Sequence, residues 1–359
     1  MTKYENNYAV IMAGGIGSRF WPFSRTKNPK QFHDVLGTGK SLLQQTAERF
    51  EKICPNENIY IVTNIEYKEL VKEQLPFLQD DQILCEPVGR NTAPCVAYAA
   101  YKIASKNKDA NLVIAPSDHI ILKEEVFAEK IQIALNAASE KNILLTLGIK
   151  PSRPDTGYGY IQFIESDESV KKVKTFTEKP QYDLAVKFLE SGDFVWNAGI
   201  FIWNVNTIIT AFEEHMSETA ELFAIGYNKY YTNEEDEFIK DVYSQCKNIS
   251  IDYGIMEAAD NVYTVLSDIG WSDLGTWKSL YDIKEKNEEK NVLDGNIRTY
   301  DTKNCIIKTP KDRLVVTQGL DGFIVAEYDN VLMICRKDEE QKVKEFVADI
   351  KANKLTEYY

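Results

Sequence analysis

Short apolar runs alternate with helical patterns over the first 150 residues. Apolar runs that fit buried strands lie at 9–12, 59–63, 83–86, 112–115 and 143–149. Apolar residues at helical spacing lie between them, at 65–75, 93–105 and 131–139. Strands that alternate with helices predict a parallel sheet with helices on both faces. We therefore expect a Rossmann-like α/β domain whose ligands bind beyond the carboxyl ends of the strands.

The pattern changes after residue 150. Residues 151–277 are irregular and richer in aromatic side chains, and we expect the central sheet to be mixed although mainly parallel. A charged run at 283–290 precedes short β-rich pieces and a final helical pattern. These shifts predict two domains, 1–285 and 286–359. The second should be small, β-rich and similar to a short β-helix, and it should end in a helix.

A glycine-rich turn follows the first strand. The chain reads Ala-Gly-Gly-Ile-Gly-Ser-Arg here, so that Gly14, Gly15 and Gly17 come shortly before Arg19. Backbone N–H groups in such a turn can approach a phosphate closely because no Cβ intervenes. Arg19 and, further on, Lys30 add positive charge. The stretch therefore predicts a site for the phosphates of a nucleoside triphosphate.

Two common phosphate motifs are absent from this stretch. The dinucleotide fingerprint G-x-G-x-x-G would need a third glycine where Phe20 stands. Segment 39–41, Gly-Lys-Ser, resembles the end of a P-loop, but Asp34 occupies the place of that motif's first glycine. We therefore expect residues 36–40 to form a structural turn.

Acidic and amide side chains follow two other predicted strands. Glu86 ends the third strand and Asp118 follows the fourth, so both should share an edge with the glycine turn. A buried carboxylate can accept hydrogen bonds from the N1–H and the amine of guanine, whereas adenine offers no such edge. An aspartate at this edge also suits Mg²⁺, which takes one or two carboxylates plus phosphates. Asn91 or Thr92 can cap the next helix, which is a structural role.

Composition narrows the function classes. Lys and Arg number 42 against 55 Asp and Glu, giving a net charge of −13 at pH 7, so we expect binding neither to nucleic acid nor to anionic membrane. No apolar run approaches the roughly 18 residues of a membrane span, and the first residues lack a signal-peptide core. We therefore expect a cytoplasmic protein whose six scattered cysteines are reduced.

The glycine turn and its continuation, Phe-Trp-Pro-Phe-Ser-Arg at 20–25 and Pro-Lys-Gln-Phe at 29–32, resemble the signature of the sugar-phosphate nucleotidyltransferase family. Further matching stretches follow in family order at 86–94, 115–119, 155–161, 176–180, 196–201, 251–257 and 269–277. The resemblance is greatest to members that use GTP and mannose 1-phosphate. It implies transfer of GMP from GTP to α-D-mannose 1-phosphate, giving GDP-mannose and pyrophosphate.

The resemblance also implies a role for residues in each stretch. The expected catalytic residues are Arg19 and Lys30. The expected nucleotide-binding residues are Ala13, Gly14, Gly15, Gly17, Glu86, Asn91 and Thr92. The sugar phosphate is expected at Gly157, Glu178, Lys179 and Asn197. Mg²⁺ is the implied cofactor, with Asp118 and Asp273 as its ligands. For Asp252 two roles stay open, a contact with the sugar and the N-cap of a helix.

Several alternatives stay open at this point. The same motifs would serve GTP with a manno-heptose or fucose 1-phosphate, whereas the Arg-Asn-Thr-Ala-Pro stretch at 90–94 disfavours UTP and dTTP. A non-catalytic subunit that only binds nucleotide sugars is disfavoured by the intact catalytic and metal-binding positions. A fused isomerase domain, found in longer relatives, is not expected after residue 280. A homodimer through the C-terminal region is left open.

Overall fold

The structure is a computed structural model and describes residues 3–359. Its strands are Asn7–Met12 (β1), Ile59–Asn64 (β2), Ile83–Glu86 (β3), Asn111–Pro116 (β4), Ile120–Ile121 (β5), Leu144–Ile149 (β6), Tyr160–Phe163 (β7), Val170–Thr177 (β8), Phe194–Asn204 (β9), Val262–Leu266 (β10), Trp271–Ser272 (β11), Val292–Asp294 (β12), Asn296–Tyr300 (β13), Ile306–Lys308 (β14), Leu314–Gln318 (β15), Phe323–Tyr328 (β16) and Val331–Arg336 (β17).

Ten α-helices accompany these strands in the described residues. They are Leu42–Phe50 (α1), Lys68–Gln74 (α2), Thr92–Lys106 (α3), Glu124–Glu140 (α4), Tyr182–Ser191 (α5), Val205–His215 (α6), Ser217–Ala224 (α7), Glu235–Gln245 (α8), Trp277–Ile283 (α9) and Val343–Ala352 (α10). None of the helices in this part of the chain combines the length and apolar character needed to cross a bilayer.

The chain divides into two compact units, and each is assembled from separate segments. The first unit comprises Met1–Gly14, Leu43–Ser117 and Ile121–Trp271. The second unit comprises Gly15–Leu42, Asp118–Ile120 and Ser272–Tyr359. Most of the signature stretch therefore belongs to the same compact unit as the C-terminal region. The domain boundary near residue 285 stays a prediction.

The first unit is built on a nine-stranded sheet with the order β3-β2-β1-β4-β9-β6-β10-β8-β7. Strands β1 to β4 run parallel, and Ala9 of β1 lies beside Ile59 and Val113. Strand β9 runs antiparallel to β4 and β6, and β8 runs antiparallel to β10. The sheet is therefore mixed, and its antiparallel pairings involve the strands between residues 160 and 204, where the apolar pattern is irregular.

Continuous apolar strands occupy the centre of this sheet. Val10, Ile11 and Ile114 have no exposed surface, as expected for strands covered on both faces. Helix α3 is buried along its whole length from Ala93 to Ala104, since its alanines permit close approach to the sheet and neighbouring helices. The predicted helix at 131–139 begins earlier, at Glu124, and becomes α4.

The second unit contains a four-stranded sheet, β12-β14-β16-β17, and the pair β13-β15. Strands β12, β14 and β16 pair in parallel, as do β13 and β15, which agrees with the predicted β-helix-like region. Aromatic side chains of the signature stretch form part of its core. The ring of Phe20 stacks on Trp277 with centroids 4.6 Å apart, and Trp277 Nε1 donates to the carbonyl oxygen of Trp21 at 3.1 Å.

Replacing Trp277 with alanine should destabilise the second unit by about 3–5 kcal/mol, because the change removes a fully buried indole and its stack on Phe20. Urea unfolding followed by far-ultraviolet circular dichroism measures the loss. Leu355→Ala, at a residue 46% exposed in the same unit, is the control and should stay within about 0.5 kcal/mol of the parent chain. A Trp277→Ala loss no larger than the control's would contradict this packing account.

Candidate functional site

The buried Lys30 ammonium is the centre of a polar cluster in the second unit. Lys30 is only 3% exposed, and its Nζ contacts an Asp118 carboxylate oxygen at 2.8 Å. The same Nζ donates to the main-chain oxygens of Asp273 and Leu274 at 3.1 and 2.8 Å. These contacts occupy the three donors of the ammonium and join all three chain segments of the unit.

The glycine turn lies directly against Lys30. Gly17 has φ of +69°, and a Cβ at this position would come within 3.1 Å of the Lys30 Cβ. The Ser24 hydroxyl donates to the carbonyl oxygen of Ile16 and accepts from the Lys30 N–H at 3.2 Å. Gly17 and Ser24 thus fix the backbone on both sides of the turn.

A cavity of about 350 Å³ lies beside Lys30 in this unit. Its lining residues are Gly17, Ser18, Arg19, Lys30, Asp118, His119, Asp273, Gly275 and Lys344. The structure therefore brings together the two predicted catalytic residues and the two predicted metal ligands. Lys344 was not foreseen, because its helix contains no recognisable motif.

The two carboxylates in this cavity have different environments. Burial acts to raise the pKa of Asp118, but the Lys30 ammonium and His119 outweigh it, so the net pKa is lowered and the group stays ionised. Asp273 accepts from the Gly275 N–H at 3.1 Å, and a Cβ on Gly275 would lie 2.5 Å from its other oxygen. Glycine at 275 is therefore what leaves room for the Asp273 carboxylate.

Asp118 and Asp273 fit a hard divalent cation that is bound together with phosphates. Both line one cavity, and Mg²⁺ needs only one or two protein carboxylates when phosphates complete its coordination. No group of three or more His, Cys, Asp or Glu side chains that could hold a metal occurs within residues 3–359. The donor set therefore suits a cation that arrives with its phosphates.

A second cluster, in the first unit, surrounds Glu86 at the end of β3. The Tyr243 hydroxyl donates to one carboxylate oxygen at 3.1 Å, and a Cβ on Gly14 would lie 3.1 Å from the other. The carboxyl end of β3 and the start of the glycine turn therefore meet, as expected for parallel strands. Burial raises the pKa of Glu86 to about 7, although the bond from Tyr243 opposes the rise.

Neighbouring predicted residues have clear structural roles. Asn91 has φ of 66°, and its side chain accepts from the Thr92 N–H at 2.9 Å, so it caps α3. The Thr92 hydroxyl accepts from the Ile251 N–H at 2.9 Å. The Ala13 N–H donates to the Val62 carbonyl oxygen at 2.7 Å. The Ala13 amide is thus engaged within the sheet, whereas Gly14 and Gly15 are exposed.

A third cluster, also in the first unit, is centred on Asn197. Its side-chain oxygen accepts from the Thr146 hydroxyl at 2.7 Å, and its amide nitrogen donates to Asp252 at 2.8 Å. Asp252 begins a π-helical turn whose N-cap is Ile251, so it does not act as an N-cap. Burial and, next, repulsion from Glu178 raise the pKa of Asp252. Asn197, which was predicted to bind the sugar phosphate, therefore positions the Asp252 carboxylate.

Glu178 lies beside this pair and is held from three sides. Its carboxylate pairs with Lys179 at 2.5 Å, its N–H donates to Glu257 at 2.7 Å, and a Cβ on Gly159 would come within 2.4 Å of it. Glu257 and Gly159 were not foreseen as site residues. Both lie inside stretches that resemble the family, at 155–161 and 251–257, and this position could have identified them. Gly157 is exposed, and its N–H donates to Asp155 at 2.9 Å.

Comparison with known proteins decides the family. A model of the nucleotidyl transferase family matches residues 8–290, and one of the mannoseP isomerase/GMP-like β-helix domain matches residues 295–350. The chain belongs to the nucleotidyl transferase family. The predicted fold class, with its nucleotidyltransferase domain and β-helix-like C-terminal region, is confirmed.

Individual relatives narrow the resemblance within this nucleotidyl transferase family. The "Mannose-1-phosphate guanylyltransferase" of Klebsiella pneumoniae is 34% identical over 97% of this chain and 75% of its own length. The "Alginate biosynthesis protein AlgA" of Pseudomonas aeruginosa is 35% identical over 97% of this chain and 73% of its own length. The crystal structure of a "mannose-1-phosphate geranyltransferase" from Thermus thermophilus has 31% identity and a TM-score of 0.86, covering 96% of this chain and 99% of that one.

Replacing Tyr243 with phenylalanine in this nucleotidyltransferase should raise the pKa of Glu86 above its value of about 7, because the hydroxyl that stabilises the ionised carboxylate is lost. The ¹³C shift of the Glu86 carboxyl group against pH measures this, with Glu86→Gln to assign the resonance. Tyr227→Phe, at a residue 43% exposed, is the control. An unchanged or lower pKa in Tyr243→Phe would contradict the hydrogen bond.

Proposed function

We propose that this chain transfers GMP from GTP to α-D-mannose 1-phosphate, giving GDP-mannose and pyrophosphate. The observation that carries the proposal is the cavity beside Lys30, where cationic side chains and two carboxylates lie together. This combination suits phosphoryl transfer between two polyanions. The names of the relatives support GTP and mannose 1-phosphate as the pair.

The reaction requires no general base. The attacking oxygen belongs to the phosphate of mannose 1-phosphate, which is already ionised at neutral pH. It forms a bond to the α-phosphorus of GTP while the bond from that phosphorus to the bridging oxygen breaks, and the electron pair leaves with pyrophosphate. The main difficulty is bringing two polyanions together, so positioning and electrostatic stabilisation supply most of the rate.

We assign the phosphates of GTP to the glycine turn and its cations. The amides of Gly14, Gly15 and Gly17 and the Arg19 guanidinium bind the triphosphate, and Lys30 acts near the α-phosphate. The buried, fully bonded position of Lys30 supports this role. A cation that is already fixed does not have to reorganise as charge develops in the transition state.

We assign Asp118 and Asp273 as ligands of a divalent cation, with Mg²⁺ as the specific ion. When bound, such an ion supplies positive charge that offsets the repulsion between phosphates. The lowered pKa of Asp118 keeps this carboxylate ionised for the cation. Gly275 leaves the space that the Asp273 carboxylate needs.

The Glu86 cluster is assigned to the base. Ionised Glu86 accepts from the N1–H and amine of guanine, and adenine presents neither donor in that arrangement. Asn91 and Thr92 hold the start of α3 beside this strand end, and the backbone of Ala13 contributes to binding of the nucleotide. The contact between Glu86 and Gly14 supports the assignment, since it joins the base-binding and phosphate-binding stretches.

The Asn197 cluster is assigned to mannose 1-phosphate. Glu178 binds sugar hydroxyls, Lys179 faces the sugar's phosphate, and Gly157 borders the sugar. Asn197 acts together with Asp252, because its amide is bonded to that carboxylate. We therefore add Asp252 to the sugar-binding residues.

Two further features complete the proposal. We place the reaction in the cytoplasm, where GTP is available. We also propose a homodimer through the C-terminal region, supported by exposed apolar side chains on β15 and β17. These are Leu314, Val316, Leu332 and Ile334, each at least 55% exposed.

Pyrophosphate release with Mg²⁺ tests the proposed reaction. GTP, ATP, UTP and dTTP are crossed with the 1-phosphates of mannose, glucose, fucose and manno-heptose. We expect release mainly with GTP and mannose 1-phosphate, because Glu86 selects guanine and the Asn197 cluster selects the sugar. Release with GTP and the 1-phosphate of another sugar would support the mechanism, but the assignment of Glu178 and Asn197 to mannose would then be wrong. Release with no pair, together with GDP-mannose binding, would contradict the proposal and favour a non-catalytic subunit.

A further inference from the structure

Helix α10 contributes a cation to the cavity beside Lys30. The helix packs against the short turn Ser18–Phe20, and Val343 and Val347 anchor it in the core of the second unit. Lys344, next to the buried Val343, lines the cavity together with Arg19. The C-terminal region, which carries no motif with evident chemistry, thus supplies part of this wall.

Arg19 and Lys344 carry like charges and line the same cavity. Repulsion from the Arg19 guanidinium is the main cause that lowers the pKa of Lys344. In the part of the chain that the structure describes, neither side chain forms an ion pair with a carboxylate, and the buried Arg19 Nε has no hydrogen-bond partner. Lys30 differs, because its ammonium is fully bonded to Asp118 and two carbonyl oxygens.

Lys344 is exposed and Arg19 half-buried on one wall of the cavity, and an anion bound between the two cations would offset their repulsion. Phosphate oxygens suit this role, because arginine and lysine donate strong charge-assisted hydrogen bonds to them. Lys30 is already paired with the Asp118 carboxylate, so less of its charge is left to offset that of the terminal phosphates. The Arg19–Lys344 pair suits the terminal phosphates, which carry the remaining charge.

We propose that Lys344 binds the β- and γ-phosphates of GTP together with Arg19, and therefore holds the leaving pyrophosphate. This inference rests on the proposed function, because it concerns the same nucleotide site. Lys344 acts by contact with substrate: it offsets the charge that the departing pyrophosphate gains when its bond to the α-phosphorus breaks. The C-terminal helix is thereby a part of the binding site.

The proposal is tested by calorimetry, in which inorganic pyrophosphate is titrated into the full chain in the presence of Mg²⁺. Lys344→Ala should weaken pyrophosphate binding about 10- to 100-fold, the effect of one lost charged hydrogen bond. The KM for GTP should rise to a similar extent, while binding of GMP and GDP-mannose stays within about twofold. Lys344→Arg should restore most of the affinity. Lys351→Ala removes the same charge from the same helix outside the cavity, and should leave every value unchanged.

Two results would overturn the proposal. One is pyrophosphate affinity in Lys344→Ala equal to that of the parent chain. The other is an equal loss for pyrophosphate, GMP and GDP-mannose, which would indicate a general effect on the fold. If the parent chain releases no pyrophosphate with any substrate pair, the proposed function fails, and the pyrophosphate titration still decides the role of Lys344.

Discussion

The contact of Lys30 with Asp118, Asp273 and Leu274 is the constraint on which the second unit depends. This unit consists of three segments far apart in the chain, and the ammonium of Lys30, in the first segment, bonds to the other two. A buried lysine without such partners would be costly, so the ion pair and the two carbonyl oxygens are what permit its burial. The same contact brings the signature stretch and both proposed metal ligands to one cavity.

The side chains that line this cavity carry a net positive charge, whereas the whole chain is negatively charged. The protein carries a net charge of −13, yet Arg19, Lys30 and Lys344 face only Asp118 and Asp273 in the cavity. A nucleoside triphosphate is therefore attracted locally despite the global sign. Because the transferred group moves between two phosphates, the arrangement of these charges, more than any acid or base, accounts for the proposed chemistry.

Local sequence predicted the parts of the site that depend on local geometry. Gly17 was identifiable from the glycine-rich turn that follows an apolar strand, and its φ of +69° is one that other residues rarely adopt. Apolar strands likewise located Glu86 and Asp118. Partners that come from distant segments were not predictable. Tyr243 donates to Glu86 across 157 residues, and no local pattern encodes that contact. Asp252 stayed ambiguous in the sequence because one spacing suits both a cap and a ligand, and the structure excludes the cap by placing Asp252 inside the π-helical turn.

Turnover of Lys30→Ala with GTP and mannose 1-phosphate tests the role of this lysine most directly. The account predicts a fall of roughly 10²–10³ in kcat, because the fixed positive charge near the α-phosphate is lost, measured on protein that circular dichroism shows to be folded. Lys27→Ala, at an exposed lysine of the same segment, should leave kcat unchanged. Lys30→Met replaces the alanine variant if that variant does not fold. A folded Lys30 variant with near-parental kcat would contradict the account.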